Sequence, residues 1–316
     1  MHILLLVWKN SKHYSKPSRL VVLMREVSNA IINQGRGYTS GEQLFGLVEA
    51  EQANDAVQQL RTTIRVCLAF KSTYFDYKAT ANAECPTNPW RVQNTAIFLR
   101  IDEFLERCQD NLDLFQTIVQ FSKLPRIEIG GTKGKALTQT VLQVNEEFEQ
   151  SIAAFRAVSY DIMDVDAKQF DDDFYRFRCR VKELDRRLGA VLATGFDDAA
   201  TTLGRFQLLD AFDQLLERPI IADELEKKHV DLITAIGSDI KRVQSIFVAD
   251  RENPTIGRNL PPIAGAIGWC RGLKERIHHP MECLELLDYR IREREEAKEM
   301  TQTYVYERWL RQSRQK

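Results

Sequence analysis

Apolar residues recur at steps of three and four along most of this 316-residue chain. Such spacing places the side chains on one face of an α-helix, and that face needs a partner helix to cover it. Only residues 127–129 have the alternation of a strand, and three residues cannot carry a sheet. The pattern therefore predicts an all-α fold, which we expect to be an elongated rod of serial antiparallel helical bundles. One stripe makes consecutive helical steps at Leu225, His229, Leu232, Ile236, Ile240, Val243 and Phe247.

Two successive prolines, Pro261 and Pro262, interrupt the helical pattern. Proline lacks a backbone N–H and clashes with the preceding turn, so two in succession cannot lie inside a helix. The apolar, small-residue segment that follows, residues 263–269, is expected to pack against another part of the chain. With an earlier proline-rich break, this interruption suggests three sub-bundles, at residues 1–85, 86–252 and 253–316.

Composition limits the classes of partner. The formal net charge is −1, so no overall field attracts nucleic acid or an anionic membrane. Charged residues make up 28% of the chain, which favours a soluble protein with a large hydrated surface. The apolar residues 1–8 span about a third of a bilayer and lack the basic residues and cleavage site of a signal peptide. We therefore expect neither nucleic acid nor membrane as a partner.

The six cysteines are scattered without a Cys-x-x-Cys pair, which is typical of reduced thiols in a cytosolic protein. Apolar sequence begins directly after Met1, and the helical pattern continues to Lys316 without a stop signal. We therefore expect the chain to be a piece of a longer protein, either a natural short product or a truncated one.

A glycine-rich stretch at residues 130–138 has some features of a phosphate-binding loop. Such a loop requires Gly five places before the Gly-Lys pair, and Ser or Thr directly after the Lys. Ile129 and Ala136 occupy those two places, so the tight turn and the hydroxyl that binds magnesium are missing. We interpret the stretch as a basic connection between two helices.

Two clusters have the residue types of metal ligands. His278, His279 and Cys283 lack a second ligand pair nearby, and a structural zinc site usually needs four ligands. The aspartates of residues 161–173 lack the Gly and Glu that a calcium loop requires at its sixth and twelfth places. We interpret these aspartates as negative charge near a helix N-terminus.

No motif of a catalytic nucleophile or of a Cys/His pair is recognisable in the sequence. His229 lies on an apolar stripe, and we interpret it as a core or boundary histidine with its hydrogen bonds satisfied. The residues therefore predict no catalytic, cofactor-binding or metal-binding site in this chain.

Several blocks of sequence, in order, resemble the N-terminal tail of dynein heavy chains. The run from Leu260 to Leu273 is similar to the family's phrase Pro-Pro-(Ile/Val)-Ala-Gly-Ala-Ile-x-Trp-x-Arg-x-Leu. Residues 128–134 are similar to a Glu-(Ile/Phe)-Gly-Gly-x-Lys-Gly phrase, which accounts for the likeness to a phosphate loop. The resemblance extends from about residue 4 to residue 309. Further similar blocks lie at residues 8–20, 90–104, 170–177 and 206–219.

The resemblance implies a helical tail segment that scaffolds heavy-chain association and docks intermediate and light chains in a minus-end-directed microtubule motor. The implied partners are dynein intermediate and light chains and other dynein heavy chains. The blocks at residues 8–20 and 206–219 resemble the ciliary members more closely. This favours an axonemal heavy chain involved in ciliary or flagellar movement. The implied localisation is the cytoplasm and cytoskeleton, and in particular the axoneme of a cilium.

The family's AAA+ ATPase ring and microtubule-binding stalk have no counterpart in these residues. We therefore expect no enzymatic activity from this chain, and expect ATP and Mg²⁺ to bind only in the motor region of the full-length parent. The alternative function is a helical-rod tethering or scaffold subunit unrelated to motors.

Interfaces of such a tail are expected at exposed apolar or aromatic positions near the ends of bundles. Four aromatic residues are the candidates, and the competing interpretation for each is packing inside a bundle. They are Trp8, Trp90, Trp269 and Tyr289.

Overall fold

The computed structural model describes residues 1–39, 50–84, 93–199, 201–257, 260–278 and 282. Most of these residues are helical and none of them lies in a strand, so the all-α prediction is confirmed. Within this part of the chain no helix is both long enough and apolar enough to cross a membrane. The elongated rod stays a prediction.

Two of the described connections between helices contain a 3₁₀ turn, at Leu124–Arg126 and Asp213–Leu215. In chain order the helices are α1 (His2–Asn10), α2 (Pro17–Tyr38), α3 (Ala50–Glu84), α4 (Thr95–Phe121), α5 (Gly134–Arg156), α6 (Gln169–Asp198), α7 (Thr202–Phe212), α8 (Pro219–Asp250) and α9 (262–278).

Local chemistry accounts for several helix starts. Pro17 and Pro219 open α2 and α8, where the missing N–H would have had no partner within the helix. The side chain of Thr201 caps α7 by accepting a hydrogen bond from the N–H of Gly204, at 3.1 Å. Asp171 and Asp172 lie in the first turn of α6, where the helix dipole favours negative charge. This agrees with the interpretation of that part of the aspartate cluster.

The chain divides into two compact units. The first comprises Met1–Arg126 and Val141–Leu184, and the second comprises Ile127–Thr140 and Asp185–Lys316, as far as each is described. Helices α5 and α6 each contribute residues to both units. These units divide the chain differently from the expected sub-bundles, whose boundaries stay a prediction.

In the first unit, α3 and α4 pack antiparallel. Lys78 donates to Asn94 at 2.8 Å, Tyr74 meets Phe98 edge-on at 4.9 Å, and Lys71 pairs with Asp102. Partner numbers fall along one helix as they rise along the other, which defines the antiparallel order. An apolar stripe of α4 with helical spacing is buried, at Ile97, Ile101, Phe104, Cys108, Leu112 and Phe115.

An aromatic cluster holds α5 against the first half of α6. Phe148 stacks on Phe121 at 4.2 Å, and Phe155 contacts Phe177 edge-on at 5.5 Å. Large aromatic side chains in such arrangements stabilise a core beyond the area that they bury. The core of the first unit is therefore continuous from α4 to α6.

In the second unit, α6 and α8 run parallel. Arg218 pairs with buried Asp185 at 2.6 Å, and Lys228 pairs with Asp197 at 3.3 Å, so the partner numbers rise together. The parallel order arises because α7 returns the chain between them. Thr202, at the start of α7, donates to Asp239 in α8 at 3.1 Å. This pair departs from the antiparallel order expected throughout.

The proline break is confirmed, because α8 ends at Asp250 and the helix restarts only at residue 262. The expected packing of residues 263–269 is only partly correct. Trp269 stacks on Phe247 at 5.9 Å between ring centroids. Ile263, however, is 78% exposed and Ile267 is 49% exposed. Only one face of this helix is covered by the described residues.

Candidate functional site

Helix α9 has two apolar faces, of which one is buried and the other is exposed. The buried side, which we call the inner face, consists of Gly265, Trp269 and Leu273, at helical steps of four. The exposed side, which we call the outer face, also follows helical spacing. It consists of Ile263, Ala266, Ile267, Cys270, Arg271 and Lys274.

The inner face fixes α9 within the second unit. Gly265 lies so close to Ile256 that an added Cβ would stand 2.8 Å from the Ile256 Cγ2 atom. This close approach requires a residue without a side chain. Trp269 covers Phe247, and Leu273 is buried. The orientation of α9 about its own axis is therefore set by packing.

The outer face is an open surface. Ala266, Ile267 and Cys270 form its apolar part, and two cationic side chains, Arg271 and Lys274, lie at one end. Gly268 and Gly272, on another side of the helix, are also open, because an added Cβ at either would meet nothing within 4 Å. An exposed apolar stripe on a well-anchored helix is typical of a binding surface.

Other exposed apolar residues of the second unit lie on α8 and on the connection that leads to α9. They add to the apolar surface that this unit presents. They are Val230, Ile233, Phe247, Val248, Ile256 and Leu260.

The four aromatic interface candidates have different positions. Trp269 is half-buried and lies near the middle of α9, on the inner face. Trp8 is buried, with 8% of its surface exposed, so its indole packs inside the first unit. Trp90 and Tyr289 lie outside the described residues. A role in an interface stays a prediction for all four.

The outer face itself was not among the candidates. Its residues are small, aliphatic or cationic, whereas the selection from sequence favoured large aromatic residues. The helical steps from Ile263 to Lys274 were the available signal. On sequence alone, however, either face of a helix with two apolar stripes can be the buried one.

A buried arginine organises the acidic connection between α5 and α6. The Arg107 side chain is 4% exposed, and it donates to the carbonyl oxygen of Asp164 at 2.6 Å and to the Asp171 carboxylate at 2.8 Å. Its guanidinium also lies over the ring of Phe170, 4.1 Å from the centroid. Charge-assisted bonds in a buried setting are among the strong polar contacts of a protein.

Two further arginines bind the same connection from its exposed side. Arg36 on α2 pairs with Asp161 at 2.8 Å, and Arg100 on α4 pairs with Asp166 at 2.9 Å. The sequence interpretation assigned these aspartates to a helix N-terminus and did not include their arginine partners. The partners are 125 and 66 residues away in the chain, so no local pattern indicates them.

The second group with the residue types of metal ligands, for which the sequence predicted no metal site, is only partly described. His278 is exposed and lies 3.8 Å from Glu282, whereas His279 and Cys283 are outside the described residues. Among the described residues, no three His, Cys, Asp or Glu side chains converge as a metal site would require.

His229 is a core histidine, as the sequence indicated. It is buried on α8, and it makes a hydrogen bond with the backbone of Leu225. Burial lowers the pKa of the imidazole, because the charged form loses its hydration, and the backbone hydrogen bond opposes that shift.

The glycine-rich loop at residues 130–134 leads into α5, and hydrogen bonds hold it against the end of α6. The Thr132 hydroxyl and the Lys133 N–H donate to the Asp198 carboxylate, at 2.8 Å and 2.9 Å. The bond from Lys133, followed by the bond from Thr132, lowers the pKa of Asp198. The donors that a bound phosphate would use therefore bind a carboxylate of the same chain, which agrees with a helix connection.

At two positions of this loop, Gly131 and Gly134, a side chain would be strained or would clash with the backbone. Gly131 has φ of +98°, a backbone conformation that other residues rarely adopt. A Cβ on Gly134 would overlap the carbonyl oxygen of Ile129. The loop is therefore a specific structural motif.

Comparison with known proteins identifies the family. Residues 1–308 match the family described as dynein heavy chain, N-terminal region 1. The dynein beta chain of the flagellar outer arm of Chlamydomonas reinhardtii is 44% identical over 96% of this chain. The ciliary dynein beta chain of Tripneustes gratilla is 30% identical over 96%, and human dynein axonemal heavy chain 9 is 30% identical over 98%.

The matched part is a small fraction of each of these relatives, since this chain spans 7% of their length. The match nevertheless extends over nearly all of this chain, including both compact units. The chain belongs to the dynein heavy chain family and corresponds to its N-terminal region 1.

Proposed function

We propose that this chain is a scaffolding segment of an axonemal dynein heavy-chain tail. In this role it supports association between heavy chains and docks dynein intermediate and light chains. The observation that carries the proposal is the family match over residues 1–308. A role inside the axoneme is supported by relatives whose names place them in cilia and flagella. The same match favours this role over a tethering subunit unrelated to motors.

The internal contacts of the chain suit a scaffold. Each unit has an apolar core together with a buried arginine that pairs with an aspartate, Arg107 with Asp171 in the first and Arg218 with Asp185 in the second. Such pairs are costly to break, because removing one partner leaves the other charge without compensation. Within each unit the helices are therefore firmly held, and the outer face of α9 offers a surface for a partner.

In this proposal the chain contributes binding and carries out no catalysis. ATP hydrolysis and microtubule-directed movement belong to the motor region of the full-length heavy chain, and that region binds ATP and Mg²⁺. Neither nucleic acid nor a membrane is a partner of this segment.

Co-purification tests the proposal directly. The tagged 316-residue chain is mixed with recombinant dynein intermediate chains, with light chains, and with a second chain carrying a different tag. We expect at least one of these subunits to elute with the tagged chain in a fixed ratio. Failure of the chain to retain any of them, when circular dichroism shows it to be helical, contradicts the docking role.

A further inference from the structure

We propose that the outer face of α9 binds an amphipathic helix of a partner subunit, and that this partner helix carries acidic residues beside its apolar stripe. The inference rests on the proposed docking function and specifies the chemistry of the partner at one surface. Two observations lead to it: the spacing of the exposed apolar residues, and the cations at one end of the stripe.

The shape of the outer face fits a helix. Its residues recur at steps of three and one from Ile263 to Lys274, which forms a straight stripe about 17 Å long at 1.5 Å per residue. Ala266 and Cys270 are small residues within the stripe itself. Helices pack at an interaxial distance of about 8–10 Å that depends on the side chains at the contact. Small residues at the contact favour the short end of that range.

The charge of the outer face fits an acidic partner. Arg271 and Lys274 are exposed in line with the apolar residues, and neither forms a salt bridge with another described residue. Glu275 is the single acidic residue among residues 263–278, against the cations Arg271, Lys274 and Arg276. This positive end occurs in a chain whose net charge is −1. Carboxylates on the partner would therefore find complementary charge here.

The same charges disfavour a second copy of α9 as the occupant. In a parallel pair, the cations of one outer face would lie opposite the cations of the other. In an antiparallel pair, Arg271 and Lys274 would lie near Ile263 of the other copy, and the outer face offers no carboxylate. Like charges placed opposite each other cost free energy, and cations beside an aliphatic residue gain none.

The test uses two fluorescent 18-residue helical peptides that share one leucine stripe. One has glutamate beside the stripe and the other has lysine. Binding to the purified 316-residue chain is followed by fluorescence anisotropy at low and high salt. We expect the glutamate peptide to bind at least tenfold more tightly at low salt, and the preference to shrink at high salt because ions screen exposed charges.

Three variants locate the binding. We expect Ile267→Asp to weaken both peptides at least tenfold, because it places a charge in the middle of the apolar stripe. The double variant Arg271→Glu with Lys274→Glu should reverse the order of the two peptides. Val230→Asp is the matched control, since Val230 is also exposed and apolar but lies on α8. It should leave both affinities unchanged.

The inference is overturned if neither peptide binds, or if both bind equally and the charge reversal changes nothing. The co-purification experiment separates this failure from failure of the proposed function. If the wild-type chain retains a dynein subunit and the double charge variant retains it equally well, the inference is wrong and the docking role stands. If the wild-type chain retains no subunit, the docking role itself fails.

Discussion

The acidic connection between α5 and α6 and the outer face of α9 show opposite uses of polarity. In the first, a charged side chain, Arg107, is buried, and carbonyl and carboxylate oxygens surround it. In the second, aliphatic side chains such as Ile263 are exposed, and no residue in the described part of the chain covers them. Burial of a charge is costly unless it is fully paired, and exposure of an apolar stripe forgoes stability that burial would supply.

The difference separates a folding determinant from a binding surface. A buried, fully paired arginine holds an irregular connection that has few apolar residues of its own. An exposed stripe on a helix already anchored by its inner face contributes little to folding, and therefore its residues are available for recognition. Mutations near Arg107 should therefore change the free energy of unfolding, whereas mutations on the outer face should change the affinity for a partner.

The largest effect is expected at Arg107. Arg107→Ala removes the bonds to Asp164 and Asp171 and leaves the surrounding carbonyl oxygens without a donor, so we expect a loss of about 3 kcal/mol in unfolding free energy. Urea denaturation measures it. Arg100→Ala is the matched control, because Arg100 is 58% exposed and pairs with an exposed aspartate of the same connection. Its loss should stay within about 1 kcal/mol. Equal losses in both variants would contradict the assignment of Arg107 as the folding determinant.

The next largest effect is expected at Gly134. The new methyl group of Gly134→Ala would overlap the Ile129 carbonyl oxygen, so the loop must shift, at a cost of roughly 2 kcal/mol. Gly268→Ala places the same methyl group in open space on a helix, and we expect it to stabilise the chain by about 0.5–1 kcal/mol. Thermal unfolding compares the two. If the two variants are equally stable, the steric requirement at Gly134 is absent.

A smaller effect is expected at Asp110 on α4. Burial raises the pKa of this carboxyl to about 6, and the charges of Arg178 and Arg107 partly offset that rise. The folded chain therefore holds an extra proton between the ordinary value of 3.8 and about 6. Stability from this group is fully present below the lower value and is lost as pH rises through the upper one.

Asp110→Asn removes that dependence, because the amide does not ionise. We expect the variant to be more stable than wild type at pH 7 by about 1 kcal/mol, a figure reduced for the partial exposure of the carboxyl. The difference should vanish near pH 4. Denaturation curves recorded at several pH values measure it, and a constant difference across that range would contradict the raised pKa.

The smallest effect on stability is expected on the outer face. Ile267→Asp should change the unfolding free energy by less than about 0.5 kcal/mol, since the side chain is half-exposed and the inner face anchors the helix. The same change should weaken partner binding, as stated for the peptides above. A large loss of stability would show that the outer face contributes to folding and would remove its contrast with the Arg107 region.

Most of the secondary structure could be predicted from local spacing. The stripe on α8 is buried at Leu225, His229, Leu232, Ile236 and Val243, although Phe247 at its end is exposed. The break before α9 occurs at the proline pair. The parallel order of α6 and α8 was not predicted, because it depends on the length and direction of α7, a helix with little amphipathic character to indicate its packing. The arginine partners of the acidic connection were also missed, because they come from distant helices.

For the candidate site, the sequence singled out the segment that forms α9 but did not indicate its outer face. Residues 260–273 were recognised as a characteristic phrase, and Trp269 was selected as its interface residue. The tertiary structure places Trp269 against Phe247 and leaves Ile263 and Ile267 exposed instead. Both faces of α9 are apolar, so the sequence does not show which face is buried. Contact with α8 and its following connection decides it.

The sequence by itself determined the helical class, the proline break and the membership of the dynein heavy chain family. These follow from local spacing, backbone chemistry and ordered motifs, which need no knowledge of distant contacts. The tertiary structure alone decided that Arg107 binds the acidic connection, that Asp198 occupies the glycine-rich loop, and that the outer face of α9 is exposed. Each of these depends on side chains brought together from separate parts of the chain, and periodicity along one helix carries no information about them.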